Sequence, residues 1–257
     1  MCEKASIQPM TTFEKLIDVR DRLGAGYLVL LDPDKGNPEE LAAFARRCET
    51  RGADGLLIGG SLLFTDRFDD AVRAVAEAVQ IPVILFPGNG GQISRHADAV
   101  LFMSLLSGRN PHYLIGEQVL AAPRIRALGL EAISTAYLLV ESGKTTAAEF
   151  MSGSRPLPRG KPDIAAAHAL AAKYFGMKLV YLEAGSGAEL SVPEEMIRAI
   201  VKQTGMPVIA GGGIRTPEEA AAKVKAGASF VVTGNKLEEA GDDELIRAFA
   251  AAVHQKS

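Results

Sequence analysis

The sequence predicts an α/β fold of the (β/α)8 TIM-barrel type, with a shortened or replaced third helix. Three observations predict it: eight short apolar runs, helical patterns between most of them, and a faint internal repeat. A strand followed by a helix, repeated along the chain, is typical of βα units that share one parallel sheet. The 257 residues suit one barrel of this type, which often takes about 250 residues. We therefore expect a single domain over residues 1–257.

The strand candidates are continuously apolar and do not alternate between apolar and polar side chains. That pattern is typical of strands in a parallel sheet whose two faces are both covered. The predicted strands span residues 27–31, 55–58, 82–86, 99–103, 132–138, 178–183, 207–210 and 230–233.

Helical patterns fill most of the connections, and three of them begin with capping sequences. Asn37, Ser191 and Thr216 each precede a proline and two glutamates, so a capping side chain is followed by acids near the positive end of the helix dipole. The connection after the third strand differs, because residues 87–98 are rich in glycine and too few for a full helix. The predicted helices span residues 39–51, 66–79, 111–128, 163–175, 193–204, 217–226 and 242–254.

The internal repeat favours closure of the sheet into a barrel. Residues 81–84 followed by 88–91 resemble residues 206–209 followed by 211–213, and another apolar strand comes after each. If these are strands three and four against strands seven and eight, the repeat has the offset of two half-barrels. An open, doubly wound sheet is the alternative, and the number of strands together with this offset favours the barrel.

Composition and charge exclude several classes of protein. The chain has 28 Lys and Arg against 31 Asp and Glu, a net charge of -3, so it lacks the basic surface that neutralises nucleic-acid phosphates. Its apolar stretches are far shorter than the roughly 18 residues that a membrane-spanning helix needs. Residues 1–4 carry no apolar signal segment, and Cys2 and Cys48 form no paired motif. We expect a cytoplasmic protein with reduced thiols.

Glycine-rich segments follow three consecutive predicted strands. In a barrel the loops after strands seven and eight form the usual phosphate site, and glycine lets backbone N–H groups approach an anion closely. The alternative is that the glycines only make tight turns, which would suit one isolated pair better than three neighbouring segments. The segments are Tyr181-Leu182-Glu183-Ala184-Gly185-Ser186-Gly187, Gly211-Gly212-Gly213-Ile214-Arg215 and Thr233-Gly234-Asn235.

Acidic and hydroxyl side chains follow the first two predicted strands, across the barrel mouth. Asp32-Pro33-Asp34-Lys35 follows strand one and Gly59-Gly60-Ser61 follows strand two. A carboxylate beside a hydroxyl is oxygen chemistry suited to Mg²⁺, which keeps several waters and bridges to phosphates. Asp-Pro-Asp could equally form only a turn or a helix cap. The histidines show no zinc-ligand spacing.

In this order, these segments resemble the geranylgeranylglyceryl phosphate synthase family. The resemblance runs from about residue 27 to residue 235, and its most specific part is residues 181–187. It implies a TIM-type barrel with an altered third helix and a Mg²⁺-dependent prenyltransferase, a phosphoglycerol geranylgeranyltransferase. That reaction joins sn-glycerol 1-phosphate to geranylgeranyl diphosphate and forms the first ether bond of archaeal-type lipids. Transfer of a different chain, such as heptaprenyl, is the alternative within the same chemistry.

Matched by motif position, the resemblance implies a set of site residues. Asp32 and Ser61 correspond to the Mg²⁺ ligands, so Asp32 is also a predicted catalytic residue. We predict that Glu183, at the end of strand six, orients or deprotonates the attacking hydroxyl, with a purely structural hydrogen bond as the alternative. Leu30 departs from the pattern, since some members carry Lys there, and Lys35 becomes the candidate for charge near the diphosphate. The glycerol-phosphate site comprises Tyr181, Leu182, Glu183, Ala184, Gly185, Ser186, Gly187, Gly212, Gly213, Gly234 and Asn235.

A long prenyl chain needs an apolar groove, and residues 102–106 and 137–139 are its candidate lining or else part of the strand core. We expect a homo-oligomer, a dimer or hexamer, and peripheral membrane contact for product release. Two other functions stay open. A sugar-phosphate isomerase would need a base and an acid across the mouth and no apolar groove. A binding protein without activity would hold glycerol 1-phosphate but show no Mg²⁺-dependent turnover.

Overall fold

Eight parallel strands close into a barrel, in which each strand pairs with the next and the eighth pairs with the first. The computed structural model describes residues 9–234 and 243–255. The predicted barrel is confirmed, and the strand bounds differ from the predicted ones by at most two residues. The strands are β1 (Gly26–Leu31), β2 (Gly55–Ile58), β3 (Val83–Leu85), β4 (Ala99–Leu105), β5 (Glu131–Leu139), β6 (Leu179–Glu183), β7 (Val208–Gly211) and β8 (Phe230–Thr233).

Helices cover the outside of the barrel, as the βα pattern predicts. They are α1 (Thr12–Leu23), α2 (Pro38–Thr50), α3 (Phe68–Ala78), α4 (Glu117–Leu128), α5 (Ala147–Ser152), α6 (Pro162–Tyr174), α7 (Glu194–Thr204), α8 (Pro217–Lys225) and α9 (Asp243–Val253). Neither α1 nor α5 was predicted, and the predicted 111–128 helix begins with a π-helical segment, His112–Gly116. Within the described part of the chain, no helix has the length and apolarity needed to cross a bilayer.

No helix joins β3 to β4, a stretch that lies wholly within the described residues. Residues 86–98 instead form turns with short-range hydrogen bonds, such as that from the Gln92 backbone N–H to the Asn89 carbonyl (3.1 Å). This confirms the predicted loss or replacement of the third helix. Because no helix packs there, a cavity remains beside β3 and β4.

Two of the three predicted helix caps are formed. Asn37 and Thr216 each accept a hydrogen bond from a backbone N–H group in the first turn of α2 and of α8. The third prediction was wrong, because α7 begins after Pro193 without a side-chain cap. The Ser191 carbonyl instead accepts a hydrogen bond from the Arg159 guanidinium (2.8 Å).

Strand side chains alternate between the barrel interior and an outer layer that packs on the helices. The interior cluster includes Leu28 and Phe230, and α1 closes its amino-terminal end by inserting Leu16, which is 1% exposed. Glu131 at the start of β5 accepts a hydrogen bond from the Thr12 backbone N–H (2.6 Å), which fixes α1 across this end. The opposite end, formed by the carboxyl ends of the strands, is left for a functional site.

Candidate functional site

The carboxyl ends of the parallel strands meet at one rim of the barrel. Glu183 at the end of β6 pairs in register with Gly211 of β7, and Gly211 pairs with Val232 of β8. On the other side of the mouth, Leu31 of β1 pairs with Ile58 of β2. The predicted phosphate segments and the predicted magnesium segments therefore lie on two sides of the same opening.

Glu183 is a buried carboxyl group at this mouth, with 5% of its surface exposed. It follows Tyr181 of the interior cluster by two residues, so its side chain lies on the same face of β6. Its Oε1 atom accepts a hydrogen bond from the Gly185 backbone N–H (2.5 Å). Burial raises the pKa of this carboxyl to about 7, against the opposing effects of the Gly185 N–H and the nearby Tyr181 hydroxyl. Such a group can accept a proton from a substrate hydroxyl near neutral pH.

The Tyr181 hydroxyl is buried near enough to Glu183 to lower the pKa of that carboxyl, yet it forms no hydrogen bond of normal geometry with any described residue. Its ring stacks on Phe86 with the ring centroids 5.1 Å apart, and the Tyr137 ring lies 5.5 Å away. Burial, and then the Glu183 carboxylate, raises the pKa of this phenol well above its usual value, so the hydroxyl keeps its proton. A buried hydroxyl without a partner costs free energy unless a ligand or water meets it. Tyr181 is therefore a candidate ligand contact.

Two loop backbones approach each other so closely beside Glu183 that only glycine is tolerated. Gly212 has a left-handed backbone (φ 75°), and a Cβ there would overlap the Glu183 carboxylate and lie 2.6 Å from the Gly185 nitrogen. Gly185 is also left-handed (φ 100°), and a Cβ there would lie 2.6 Å from the Cβ of Thr146. These glycines keep the loop N–H groups near the buried carboxyl, an arrangement typical of anion sites built from backbone.

The remaining predicted residues of the β6 segment occupy two different environments. The side chains of Leu182 and Ala184 are buried in the outer layer, so a ligand in the barrel mouth could reach only their backbone atoms. Ser186 and Gly187 are exposed in the turn that follows. The segment therefore presents side chains to the mouth mainly through Tyr181 and Glu183.

The ends of β7 and β8 contribute half-buried glycines to the rim. Gly213 is left-handed (φ 72°), and a Cβ on Gly234 would lie 3.2 Å from the carbonyl oxygen of Leu30. Leu30 packs against the interior cluster, whereas Lys35 is exposed. Asn235, predicted for the same site, lies outside the described residues.

Asp32 and Ser61 lie just beyond the ends of the neighbouring strands β1 and β2, and both are partly exposed. A Cβ on Gly60 would lie 4.0 Å from the Oδ1 atom of Asp32, so this carboxylate faces the β2 loop. Asp34 has a different role, because its carboxylate accepts hydrogen bonds from the backbone N–H groups of Phe64 and Thr65, in the loop before α3. The Asp32 Oδ1 atom also accepts a hydrogen bond from the Asp34 backbone N–H (3.1 Å), so the Asp-Pro-Asp motif forms a turn and also places Asp32 at the rim.

A single carboxylate and a hydroxyl make an incomplete protein site for a cation. Among residues 9–234 and 243–255 there is no group of three or more Asp, Glu, His or Cys side chains able to hold a metal by themselves. Mg²⁺ is usually bound by one or two carboxylates, with waters and substrate phosphates at its other positions. Asp32 and Ser61 fit a site of that kind, which a phosphorylated substrate would complete.

An apolar cavity of about 130 Å³ opens beside Gly60 and Ser61 and extends between the loop after β3, strand β4 and helix α4. Its lining is mostly aliphatic and aromatic, and no Lys or Arg of the described chain contributes to it. Ser104, Leu106 and Leu138 of the predicted groove are absent from its lining. The predicted residues that do line it are Phe102, Met103, Leu105, Tyr137 and Leu139.

Sequence reasoning missed two polar residues that shape this rim. Glu117 at the start of α4 accepts a hydrogen bond from the Gly90 backbone N–H (2.5 Å) and lies 2.7 Å from the His112 ring. Gln92, 4% exposed, forms hydrogen bonds with the backbone of Gly60. Glu117 lies 27 residues from Gly90, and Gln92 lies 32 residues from Gly60. No short sequence motif predicts contacts over such separations. The glycine-rich connection was the only available signal.

The chain is similar in sequence and in fold to known proteins. The PcrB family matches residues 17–253. A geranylgeranylglyceryl phosphate synthase of Chitinophaga pinensis is 43% identical over 242 residues, which cover 94% of this chain and 95% of that protein. The Thermococcus kodakarensis protein of the same name is 49% identical over 222 residues, 86% of this chain and 87% of its own. The crystal structure of (S)-3-O-geranylgeranylglyceryl phosphate synthase from Thermoplasma acidophilum, in complex with its substrate sn-glycerol-1-phosphate, has a TM-score of 0.91 at 37% identity and covers 96% of this chain and 100% of that chain.

Proposed function

Because this chain belongs to the PcrB family, we propose that it is a geranylgeranylglyceryl phosphate synthase, a prenyltransferase that acts on sn-glycerol 1-phosphate. The observation that carries the proposal is the presence, at one rim, of a glycine-lined site around Glu183 and an apolar cavity across the mouth. The first suits a small phosphoester and the second a hydrocarbon chain. An enzyme that joins these two substrates needs both at one opening.

Glycerol 1-phosphate binds, in this proposal, at the ends of β6, β7 and β8. The left-handed glycines Gly212 and Gly213 support a phosphate cradle made of backbone N–H groups, whereas the Gly185 N–H is bonded to Glu183. The unpaired Tyr181 hydroxyl supplies a donor for a substrate oxygen. The Thermoplasma acidophilum relative, which carries sn-glycerol-1-phosphate in its crystal structure, supports this ligand class.

The reaction forms one ether bond and breaks one bond to diphosphate. The C3 hydroxyl oxygen of glycerol 1-phosphate attacks C1 of the prenyl diphosphate, and the bond from C1 to the diphosphate oxygen breaks. Pyrophosphate leaves with that electron pair, and the hydroxyl proton passes to Glu183, whose raised pKa of about 7 suits it to a proton acceptor near neutral pH. The Gly185 N–H holds the carboxylate in place.

Asp32 and Ser61 would hold Mg²⁺ together with the diphosphate of the prenyl substrate. When bound, the ion supplies positive charge that offsets the charge on the departing diphosphate. Apart from an exposed Lys35, the first two strand ends offer little positive charge, since Leu30 is apolar and the described lining of the cavity contains no Lys or Arg. This shortage of cationic side chains supports a role for a metal ion.

The prenyl chain extends from the diphosphate into the apolar cavity. Its lining by Phe102, Met103 and Leu139 supports a hydrocarbon occupant. Geranylgeranyl is the chain that the relatives' names suggest, and heptaprenyl remains the alternative. A sugar-phosphate isomerase has less support, because such an enzyme has no use for an apolar cavity beside its phosphate site.

Mass spectrometry of products tests this function directly. Purified protein receives glycerol 1-phosphate and Mg²⁺ with a series of prenyl diphosphates of increasing length. A geranylgeranylglyceryl phosphate product is expected, and a dominant heptaprenyl product would correct the chain length only. Binding of glycerol 1-phosphate without any ether product would favour a binding protein over an enzyme. The single domain over residues 1–257, the homo-oligomer, the membrane contact and the cytoplasmic location remain predictions.

A further inference from the structure

Gln92 is a buried side chain that joins the loops after β2 and β3. It is 4% exposed, and its Nε2 atom donates a hydrogen bond to the Gly60 carbonyl (2.8 Å). Its Oε1 atom accepts hydrogen bonds from the backbone N–H groups of Gly60 (3.3 Å) and Gly88 (3.1 Å). The amide orientation is determined by these partners, because the reverse orientation would place the NH2 group against two backbone N–H donors and the amide oxygen against the Gly60 carbonyl.

The loops that Gln92 joins are also in direct contact. A Cβ on Gly88 would lie 2.8 Å from the Ser61 carbonyl oxygen and 2.9 Å from the Ser61 Cα. Gly60 in turn faces the Asp32 carboxylate, with 4.0 Å from its Cβ position to Oδ1. The Gln92 amide therefore sets where Gly60 and Ser61 lie relative to Asp32.

These loops form the polar end of the apolar cavity. Gly60, Ser61 and Gly88 all belong to its lining, next to Phe86. A substrate with a hydrocarbon chain in the cavity presents its charged end here. The glycine-rich site around Glu183 is built from other strand ends, and no hydrogen bond of Gln92 reaches it among the described contacts.

We propose that Gln92 is a positioning residue for the diphosphate end of the prenyl substrate. It holds the Gly60-Ser61 backbone, so its loss weakens prenyl diphosphate binding and leaves glycerol 1-phosphate binding intact. The inference rests on the proposed function. It concerns a residue that touches neither reacting atom and acts through the loop it fixes.

The test compares Gln92→Leu with Thr204→Val. Leu removes all three hydrogen bonds at similar volume. Thr204 is a matched control, since it is also 4% exposed and bonds the Ile200 carbonyl and the Met206 N–H at the carboxyl end of α7, away from the mouth. The measurements are the dissociation constants, with Mg²⁺ present, of glycerol 1-phosphate and of an unreactive thio analogue of geranylgeranyl diphosphate, and KM and kcat for both substrates.

Gln92→Leu is expected to raise the dissociation constant of the prenyl analogue and the KM for the prenyl substrate by about tenfold or more. The dissociation constant of glycerol 1-phosphate should stay within about twofold of the unchanged protein. Three results would overturn the proposal: equally weaker binding of both ligands in Gln92→Leu, unchanged binding of both, or a selective loss of prenyl analogue binding in Thr204→Val.

Further measurements distinguish three cases: a Gln92 variant that fails to fold, a wrong proposed function, and a wrong role for Gln92. Gln92→Asn keeps a polar amide that is one methylene too short to reach Gly60, and the same selective loss is expected. Without ligands, hydrogen exchange of the Gly60 and Gly88 amides should be faster in both variants than in the unchanged protein, and equal exchange would contradict the contact. If the unchanged protein makes no ether product, the proposed function is wrong, whereas an active protein with unaffected Gln92 variants would refute this inference alone.

Discussion

The two sides of the barrel mouth are built by different means. At the ends of β6 and β7 the site consists of backbone: glycines with left-handed conformations lie against one buried carboxyl, and the contacts are within a loop or between adjacent strands. At the ends of β2 and β3 the polar rim is held by two side chains, Gln92 and Glu117, that form hydrogen bonds with loop backbone. Both sides join segments that are far apart in the chain, but glycines that meet backbone form recognisable runs in the sequence, whereas a single Gln or Glu that bonds to backbone does not.

The largest effect is expected from replacing Asp32, on the side of the mouth where the metal is proposed to bind. Asp32→Ala should lower turnover by about 1000-fold or more, because the carboxylate that faces the β2 loop and is proposed to hold Mg²⁺ is lost. Product formation from glycerol 1-phosphate and geranylgeranyl diphosphate is the measurement. Asp34→Asn is the matched control, since the amide oxygen can still accept the two loop N–H groups. Near-normal turnover in Asp32→Ala would refute the metal assignment.

Glu183→Gln tests proton transfer on the opposite side. The Gln oxygen can still accept the Gly185 N–H, so the loop should keep its shape while the proton acceptor is lost. We expect kcat to fall by about 100-fold, with KM for glycerol 1-phosphate changed far less. The rise of kcat with pH through about 7 should also disappear. An unchanged kcat would leave Glu183 with only a structural role.

The same substitution should change how stability depends on pH. The pKa of Glu183 is raised from 4.5 to about 7 in the folded protein, so its neutral form is favoured by folding. The unchanged protein therefore loses stability as pH rises from about 4.5 through about 7, and Glu183→Gln does not. Above pH 7 the variant should be more stable by about 3 kcal/mol. Denaturant unfolding of both proteins at pH 5 and pH 8.5 measures this, and an equal difference at both values would contradict the burial of an ionisable group.

The smallest expected effect comes from replacing Gly212, and a matched control distinguishes backbone strain from a loss of ligand binding. Gly212→Ala places a Cβ against the Glu183 carboxylate, so KM for glycerol 1-phosphate should rise by about tenfold. Gly129→Ala is the matched control, because Gly129 is also left-handed (φ 68°) but has no atom within 4 Å of its Cβ position. Both variants carry the left-handed strain, about 1 kcal/mol. If both leave KM unchanged, the β7 loop is not the phosphate cradle.

Much of the fold could be predicted because it depends on local patterns. The strand bounds agree with the predicted ones to within two residues, since continuous apolar runs and flanking glycines are local signals. The shortening or replacement of the third helix was predicted from the length and the glycine content of residues 87–98. The unpredicted α1 begins with a capping box of Thr11 and Glu14, which was readable in the sequence. Its place across the end of the barrel was not readable, because that depends on contact with Glu131.

The sequence by itself determined the closed barrel and its motif order, because parallel strands with short connections bring all their carboxyl ends to one rim. It therefore placed Asp32, Ser61, Glu183 and Gly212 around one opening. Only the tertiary structure decided how these groups behave. The pKa of Glu183 is near 7 because folding buries it, and Leu182 turns away because strand side chains alternate. Gln92 has its role because its buried amide must form hydrogen bonds with the backbone beside it. The sequence does not show that this backbone is Gly60, which lies 32 residues away in the chain.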